Sequence, residues 1–423
     1  MMKHLAALAA ILAGTAGVTA GEGGDILATT LQSGDFASGL ESLQPLVESG
    51  DTEAGFAAGV LTVVGGIESF SQALYRHGLT APRIGMIGAF VGVPVTPPVT
   101  ANTDPQPLTY EELRTILEDL TDAMDEGRDL LVAAGESGDY VVPLDVMAIR
   151  LDIDGNGTAE DGETVAAMLA GQLGLEPADL AGASKSMSKT GSSDGGFVVG
   201  FDRADAFWLA GYTQVVAAQA DFLLAHDFEP MFDASFHRIF PEAGLPMQDY
   251  ASGGTLAMDP ESDAAIADII AFIHTFNFEV VDVDRLHDVR ARLKSIANFS
   301  RRNWEAILAE TDDERELVPS PTQTSIVPEM AVTQEVVDAW MATLDSVEAI
   351  LDGELLIPHW RFRQGFDLAA YFESASRTDA VMIFTGYGAL PYLKDGPIAD
   401  ADAFREGMEI FGEDFPGFAI WFN

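Results

Sequence analysis

Cysteine is absent from the 423 residues of this chain, and basic residues are scarce. Without a thiol, the chain cannot form disulfides, thiolate metal sites, iron–sulfur clusters or a cysteine nucleophile. Lysine and arginine together number 22 against 67 acidic residues, which gives a formal charge of -45. Because nucleic acids and anionic membrane surfaces are polyanions, this charge argues against both as partners. An apolar content of 48% still predicts a folded chain rather than a disordered one.

Long apolar runs are also missing beyond the N-terminus. Residues 1–20 have the three parts of a secretory signal: a short basic start, an apolar stretch over 5–13 and small residues before a cut after Ala20. The alternative is an N-terminal helix of the mature fold. The later apolar stretches, 54–67 and 206–225, are too short or too polar to span a bilayer. The sequence therefore predicts an exported protein, periplasmic or secreted, with no membrane span after signal cleavage.

Helical periodicity dominates the rest of the chain. Thr109 opens one helix through a capping box, Asp202 starts a long apolar helix, and Thr333 opens another helix that Gly353 ends. We predict a mainly α-helical, multi-helix globular protein, with a few short strands possible in an aromatic-rich C-terminal region. Residues 380–385 are expected to form one of those short strands or a buried loop.

Changes in composition divide the chain into five parts. A stretch rich in proline and threonine separates the N-terminal helices from the main body, because proline interrupts helices and favours extended chain. The predicted parts are a signal peptide at 1–20, an N-terminal helical hairpin at 21–90, the Pro/Thr-rich linker at 91–108, a helical body at 109–353 and the aromatic-rich C-terminal region at 354–423, packed on the body.

A helix–turn–helix pattern covers residues 34–76. The residues that match this pattern are Gly34-Asp35-Phe36-Ala37, Leu40, Leu43, Pro45-Leu46, Gly50-Asp51, Glu53-Ala54, Phe56 and Gly59. The pattern resembles a single Sel1-like, TPR-related repeat, which implies a helical hairpin and contact with other proteins. Because repeat solenoids need about three copies to bury a continuous core, we expect one hairpin packed on the body.

Oxygen-bearing side chains recur on alternate residues from 152 onward. A calcium ion takes about six to eight hard oxygen ligands, at roughly 2.3–2.6 Å. Gly157 permits a sharp turn after the third ligand. The predicted ligands are the side chains of Asp152, Asp154 and Asn156, the backbone carbonyl of Thr158, Glu160 directly or through water, and both carboxylate oxygens of Glu163.

This spacing resembles an EF-hand calcium loop, within an EF-hand unit at 143–170. The resemblance implies an entering helix over 143–151 and a leaving helix over 163–169. The eighth loop position is Ala159, smaller than the residue that usually pairs with a second hand, and no second loop of this pattern occurs. We therefore expect one structural Ca2+ site rather than a paired switch. A solvated acidic turn is the alternative, and other hard cations stay open; Ile153 departs from lanthanide-binding loops, which have proline there.

Two groups of charges have an expected structural role. Asp221 interrupts an apolar helix and is predicted to pair with an arginine, the alternative being a carboxyl group with a raised pKa. Six basic residues crowd into 285–302, and they are expected to meet acidic neighbours rather than to form a dock for an anionic ligand.

No catalytic motif is complete. The chain has no H-E-x-x-H pattern, and its G-x-S-x-G match at 191–195 lies in a polar segment rather than between a strand and a helix. We predict no catalytic residue and no cofactor other than Ca2+, and a binding or scaffolding protein whose partner is an unidentified protein or glycan. The alternative is a periplasmic or secreted enzyme of unknown type with a pocket near His226, Asp227 and His359, in which Ca2+ is structural.

Overall fold

The structure is a computed structural model that describes residues 20–80, 100–173, 197–247, 255–311, 313, 315–326 and 332–399. Within these ranges it has twelve α-helices and eight short strands, so the predicted mainly α-helical fold is confirmed. Residues 1–19 of the predicted signal, residues 91–99 of the predicted linker, the motif at 191–195 and the chain from 400 onward lie outside the described residues.

Side-chain caps begin most of the helices. Thr109 forms the predicted capping box with Glu112, and Asp202 forms another with Asp205. The helices are α1 (Glu22–Ser33), α2 (Phe36–Glu48), α3 (Thr52–Arg76), α4 (Tyr110–Gly135), α5 (Val165–Leu173), α6 (Arg203–Leu224), α7 (Glu229–Ser235), α8 (Pro260–Thr275), α9 (Val283–Ala309), α10 (Gln334–Leu351), α11 (Leu368–Ser374) and α12 (Ala380–Thr385). Thr333 caps α10, and Gly353 adopts a left-handed φ of 71° just after it, as predicted.

The strands form three small antiparallel sheets. They are β1 (Val142–Asp145) with β2 (Val198–Phe201); β3 (His226–Asp227), β4 (Asn277–Val280) and β7 (Arg377–Asp379); and β5 (Ile357–Pro358), β6 (Gly365–Phe366) and β8 (Leu393–Lys394). In the first sheet Val142 pairs with Phe201, and in the second β4 lies between β3 and β7.

The predicted entering helix over 143–151 is wrong. Strand β1 and one short 3-10 turn at Val146–Ala148 occupy this stretch instead. Val142 and Leu144 are buried while their neighbours are only partly so, which is the two-residue period of a strand. The ladder with β2 supplies the backbone hydrogen bonds that a helix would otherwise have made.

The predicted strand or loop at 380–385 is also wrong, because these residues form helix α12. The carboxylate of Asp379 accepts a hydrogen bond from the backbone N–H of Met382 and so caps the helix. Gly386 follows with a φ of 111°, a conformation that ends helices and that glycine adopts without strain. The cap at the start and the glycine at the end thus favour a short helix over a strand for these residues.

Four long helices form the centre of the molecule and pack in the order α3, α4, α6 and α9. Phe56 of α3, Leu131 of α4 and Phe207 of α6 meet in the largest apolar cluster, which also contains Phe299 of α9. Helices α1 and α2 pack on α3 at one side, and α10 packs on α9 at the other. The N-terminal helices therefore share a core with the central helices.

Residues 34–76 form a helix–turn–helix, made of α2 and α3. Among the described residues, α3 is the one helix whose length and apolar composition would suffice to cross a membrane. Phe56, Leu61 and Leu74 of this helix are buried inside the protein, as in the core helix of a globular fold. Length and composition alone do not distinguish a membrane-spanning helix from a buried core helix.

The charges inside the helical body pair as predicted. Asp221 meets Arg292, with 2.7 Å between Oδ2 and Nε, and Arg285 at 3.4 Å. The other basic side chains of 285–302 contact carboxylates as well, through Arg290 and Lys294 on Asp352, Arg301 on Asp345 and Glu348, and Arg302 on Glu136. This basic stretch therefore joins neighbouring helices.

Candidate metal centre

Three carboxylates converge in the loop that follows β1. One oxygen from each of Asp152, Asp154 and Glu163 lies within 4.8 Å of the other two. Asp152 and Glu163 are buried, and Asp154 is half-buried. Like charges at this separation repel each other, so a cation between them would lower the energy of the loop. The arrangement can hold a metal ion through hard oxygen donors.

Two glycines shape the loop backbone. Gly155 and Gly157 have φ angles of 69° and 88°, in the left-handed region that side-chain-bearing residues rarely adopt. The sequence predicted the turn at Gly157, and the turn is present. The chain thereby bends around the first ligand: the N–H groups of Asn156 and Gly157 donate to the Asp152 carboxylate at 3.1 and 2.8 Å. These bonds orient the carboxylate inward.

Glu163 closes the loop on itself. Its Oε1 accepts hydrogen bonds from the N–H groups of Ile153 and Asp154, at 2.8 and 3.2 Å, and its Oε2 accepts from the N–H of Glu160 at 2.9 Å. Both oxygens of this buried carboxylate are therefore held in place by backbone donors. A residue in this position can present two oxygens to an ion, as predicted for the last ligand of the loop.

The remaining predicted ligands lie in the loop but are exposed. Asn156 turns its Oδ1 toward the N–H of Thr158, at 2.9 Å, so the side chain stabilises the turn. Glu160 is exposed and is not one of the three converging carboxylates. The structure thus brings together three of the four predicted carboxylate ligands, and it places the other donors on the solvent side of the loop.

The ends of the loop are tied together and anchored in the core. Leu151 donates its N–H to the carbonyl of Glu163 at 3.1 Å, and an isolated bridge pairs Arg150 with Thr164. Leu151 and Ile153 are buried in the largest apolar cluster. The second loop position is therefore an apolar anchor, which explains the choice of isoleucine there.

Helix α3 contacts the loop from outside, a feature that sequence reasoning missed. Glu68 accepts a hydrogen bond from the N–H of Asp152 at 2.6 Å, and Gln72 donates to the carbonyl of Asp152 at 2.7 Å. Burial, together with the nearby charges of Asp152 and Glu163, raises the pKa of Glu68 to about 7, although the Asp152 N–H acts in the opposite direction. The only sequence signal was a glutamate at the end of an apolar helical run.

The eighth loop position also meets the N-terminal helices. The turn between α1 and α2 passes so close that a Cβ on Gly34 would lie 2.7 Å from the Cβ of Ala159. Arg150 adds a hydrogen bond from its N–H to the carbonyl of Leu31 in α1, at 2.9 Å. A larger side chain at 159 would collide with this turn, so the small residue matches its partner.

The residues considered for an enzyme pocket contact different elements. His226 is fully buried, and its two ring nitrogens contact the carbonyl of Phe222 at 2.6 Å and the hydroxyl of Thr378 at 2.7 Å. Burial lowers its pKa, so the ring is neutral at pH 7. Asp227 accepts a hydrogen bond from the N–H of Glu229 just before α7, and His359 contacts the carbonyl of Ile383. In these positions the two histidines join backbone segments.

A second group of carboxyls lies where α6 begins and α9 ends. Burial and the neighbouring Asp202 raise the pKa of Glu310 to about 8, and the same two causes hold the pKa of Asp205 well above its usual range. Gln323 donates to Glu310 at 3.0 Å. Asp202 and Glu310 also line a surface cavity of about 470 Å3. Glu316 is the fourth acidic neighbour.

The fold and the loop together define a mainly helical protein with an acidic cluster that could hold a metal ion. Comparisons with known protein families, with curated proteins and with solved structures gave no match.

Proposed function

We propose that this chain is an exported calcium-binding helical protein, with one structural Ca2+ site in the loop from Asp152 to Glu163. The observation that carries the proposal is the convergence of the Asp152, Asp154 and Glu163 carboxylates within 4.8 Å, at the spacing typical of an EF-hand loop. Asn156, the carbonyl of Thr158 and Glu160 would complete the coordination.

Calcium is favoured by the chemistry of the donors. All of them are oxygens, and the loop offers neither the nitrogen nor the sulfur ligands that zinc and copper prefer. Carboxylates that can bind with one or two oxygens suit the flexible coordination of Ca2+ better than the strict octahedron of Mg2+. Lanthanide ions share this preference for hard oxygens, so they serve as probes of the same site.

A structural role fits the position of the loop. It lies between α3, the α1–α2 turn and β1, and it buries two apolar residues, Leu151 and Ile153. An ion that binds only the folded state adds stability according to its concentration, about 2.7 kcal/mol at 100 times Kd. Export, suggested by the signal-like residues 1–20, would expose the site to calcium outside the cytoplasm.

Thermal unfolding with and without calcium tests the site directly. We expect millimolar Ca2+ to raise the Tm of the wild-type protein by several degrees relative to EGTA. Glu163→Gln should abolish most of this difference, because it removes a charge and one of the two oxygens that close the loop. Glu126→Gln, on the exposed face of α4, is the matched control and should keep the full calcium effect. Equal Tm values for the wild type in calcium and in EGTA would refute the calcium site.

A binding or scaffolding role is supported by an exposed aromatic surface near the C-terminal end of the described chain. Trp360, Phe384 and Tyr387 are each at least 70% exposed. The indole N–H of Trp360 donates to the carbonyl of Phe384 at 2.8 Å, and the guanidinium of Arg361 lies 5.5 Å from the centre of the Trp360 ring. Exposed aromatic groups of this kind are typical of surfaces that bind a protein or a glycan.

A further inference from the structure

Asp152 is fixed by both of its peptide groups to a single helix outside the loop. Its N–H donates to Glu68 at 2.6 Å, and its carbonyl accepts from Gln72 at 2.7 Å. Glu68 and Gln72 are four residues apart, so they lie one above the other on the same face of α3. Asp152 is the first predicted ligand, and its carboxylate is one of the three that converge.

Helix α3 is a firm support for this contact. It packs along most of its length against α4, and Phe56 and Leu61 are completely buried. The loop, in contrast, is exposed over 155–158. Packing of this extent makes the helix the fixed partner and the loop the adjustable one.

The contact also has an electrostatic side. The carboxylate of Glu68 is close enough to Asp152 and Glu163 for their charges to interact with it. In its ionised form it adds a fourth negative charge beside the three that converge, without belonging to the loop. A cation gains from this charge, whereas the empty loop is further destabilised by it.

We propose that helix α3 completes the metal site from outside, with Glu68 and Gln72 as positioning residues that fix Asp152. Gly34, which follows α1, takes the place opposite Ala159. The N-terminal helices of the same chain then occupy the position that a second calcium loop would otherwise fill. This inference rests on the proposed function, since it concerns the affinity of the same site. It assigns no direct ligand role to either residue.

Calcium titration of the full chain by calorimetry tests the assignment. Residues that orient metal ligands from outside typically change metal affinity 10- to 100-fold when removed. We expect Glu68→Ala and Gln72→Ala each to raise the Kd for Ca2+ by about 10-fold or more. Ser71→Ala on the same helix is the control, because its hydroxyl donates to the carbonyl of Ile67 within α3, and it should leave Kd unchanged.

Glu68→Gln separates charge from hydrogen bonding. The amide oxygen can still accept from Asp152, so Ca2+ binding should fall less than in Glu68→Ala. Because electrostatic attraction grows with the charge of the ion, the loss should be larger for La3+ than for Ca2+. An equal loss for both ions would overturn the charged role of Glu68, because a purely structural effect would not distinguish them.

The possible failures point to different conclusions. The inference would be overturned if Glu68→Ala and Gln72→Ala both kept the wild-type Kd for Ca2+, or if Ser71→Ala lost as much Ca2+ affinity as they do. Either result would leave the calcium site intact. A wild-type protein that takes up no Ca2+ would overturn the proposed function and this inference with it. Unfolding curves in EGTA identify any variant that has lost its fold, and the isosteric Glu68→Gln then carries the test.

Discussion

Glu310 lies among three other carboxyl groups, those of Asp202, Asp205 and Glu316. Burial, followed by the charges of Asp202 and Glu316, raises its pKa from 4.5 to about 8. In an unfolded chain the same group releases its proton near pH 4.5. Between those two values the folded protein holds a proton that the unfolded chain has lost, so proton uptake favours folding there.

The pH dependence of stability follows from this difference. We expect the contribution of the Glu310 proton to the free energy of unfolding to fall as pH rises from about 5 to about 8, by at most about 1.4 kcal/mol per pH unit. The stabilisation is complete below pH 4.5 and is lost as pH passes 8. Urea unfolding at closely spaced pH values, in EGTA, measures the slope.

Glu310→Gln provides the control for this prediction. The amide cannot ionise and resembles the protonated acid in shape. The free energy of unfolding of this variant should therefore depend less on pH than that of the wild type over the same range. The substitution keeps Arg203 and Arg302, the two arginines that line the same cavity. Identical slopes for the two proteins would show that Glu310 is ionised in the fold.

Single residues were predictable wherever their role is local. Gly157 and the carboxylates of Asp152, Asp154 and Glu163 belong to one twelve-residue stretch, so their spacing alone indicated a turn lined by oxygens. Glu68 contacts this stretch from 84 residues away in sequence. No pattern of spacing encodes such a contact, because it depends on how α3 packs.

The same distinction applies to whole elements. The helices that begin at Thr109 and Thr333 were predictable, because a cap and an apolar period lie in the same segment. Residues 143–151 formed a strand and a turn instead of a helix, since their hydrogen-bond partner is β2, more than fifty residues later. Elements whose stability depends on a distant partner are the ones that local patterns miss.

Helices α4, α6 and α9 are connected by one partly buried charge network. Arg292 of α9 contacts both oxygens of Asp125 in α4, at 2.5 and 2.6 Å, and Asp221 in α6 at 2.7 Å. Burial raises the pKa of Asp221, and the nearby Arg292 counteracts this effect. The guanidinium thus compensates two carboxylates that lie between packed helices.

Removing this guanidinium should destabilise the helical body strongly. For Arg292→Met we expect a loss of about 3–5 kcal/mol in the free energy of unfolding, because Asp221 would be left buried without its main partner. Arg301→Met on the same helix is the control: its partners Asp345 and Glu348 are 74% and 34% exposed, and the expected loss is at most about 1 kcal/mol. Urea unfolding in calcium measures both, and equal losses would contradict the special role of Arg292.

The whole molecule has far more acidic than basic groups. With 67 acidic and 22 basic side chains, most carboxylates would remain unpaired even if every base had a partner. Folding brings these charges closer together, so their mutual repulsion opposes the compact state. The exposed ion pairs, such as Arg302 with Glu136, act in the opposite direction, but such pairs each contribute at most about 1 kcal/mol.

Salt should therefore stabilise this protein, although it weakens individual ion pairs. The screening length falls from about 30 Å at 0.01 M to about 3 Å at 1 M salt. We expect Tm in EGTA to rise by several degrees between these limits, steeply at first and then levelling off once neighbouring carboxylates no longer interact. Running the series on Glu163→Gln as well removes any contribution from cations held in the loop. A Tm that falls with NaCl would mean that ion pairs, not repulsion, dominate the charge balance of the fold; a rise proportional to concentration without levelling would instead indicate exclusion of salt from the surface.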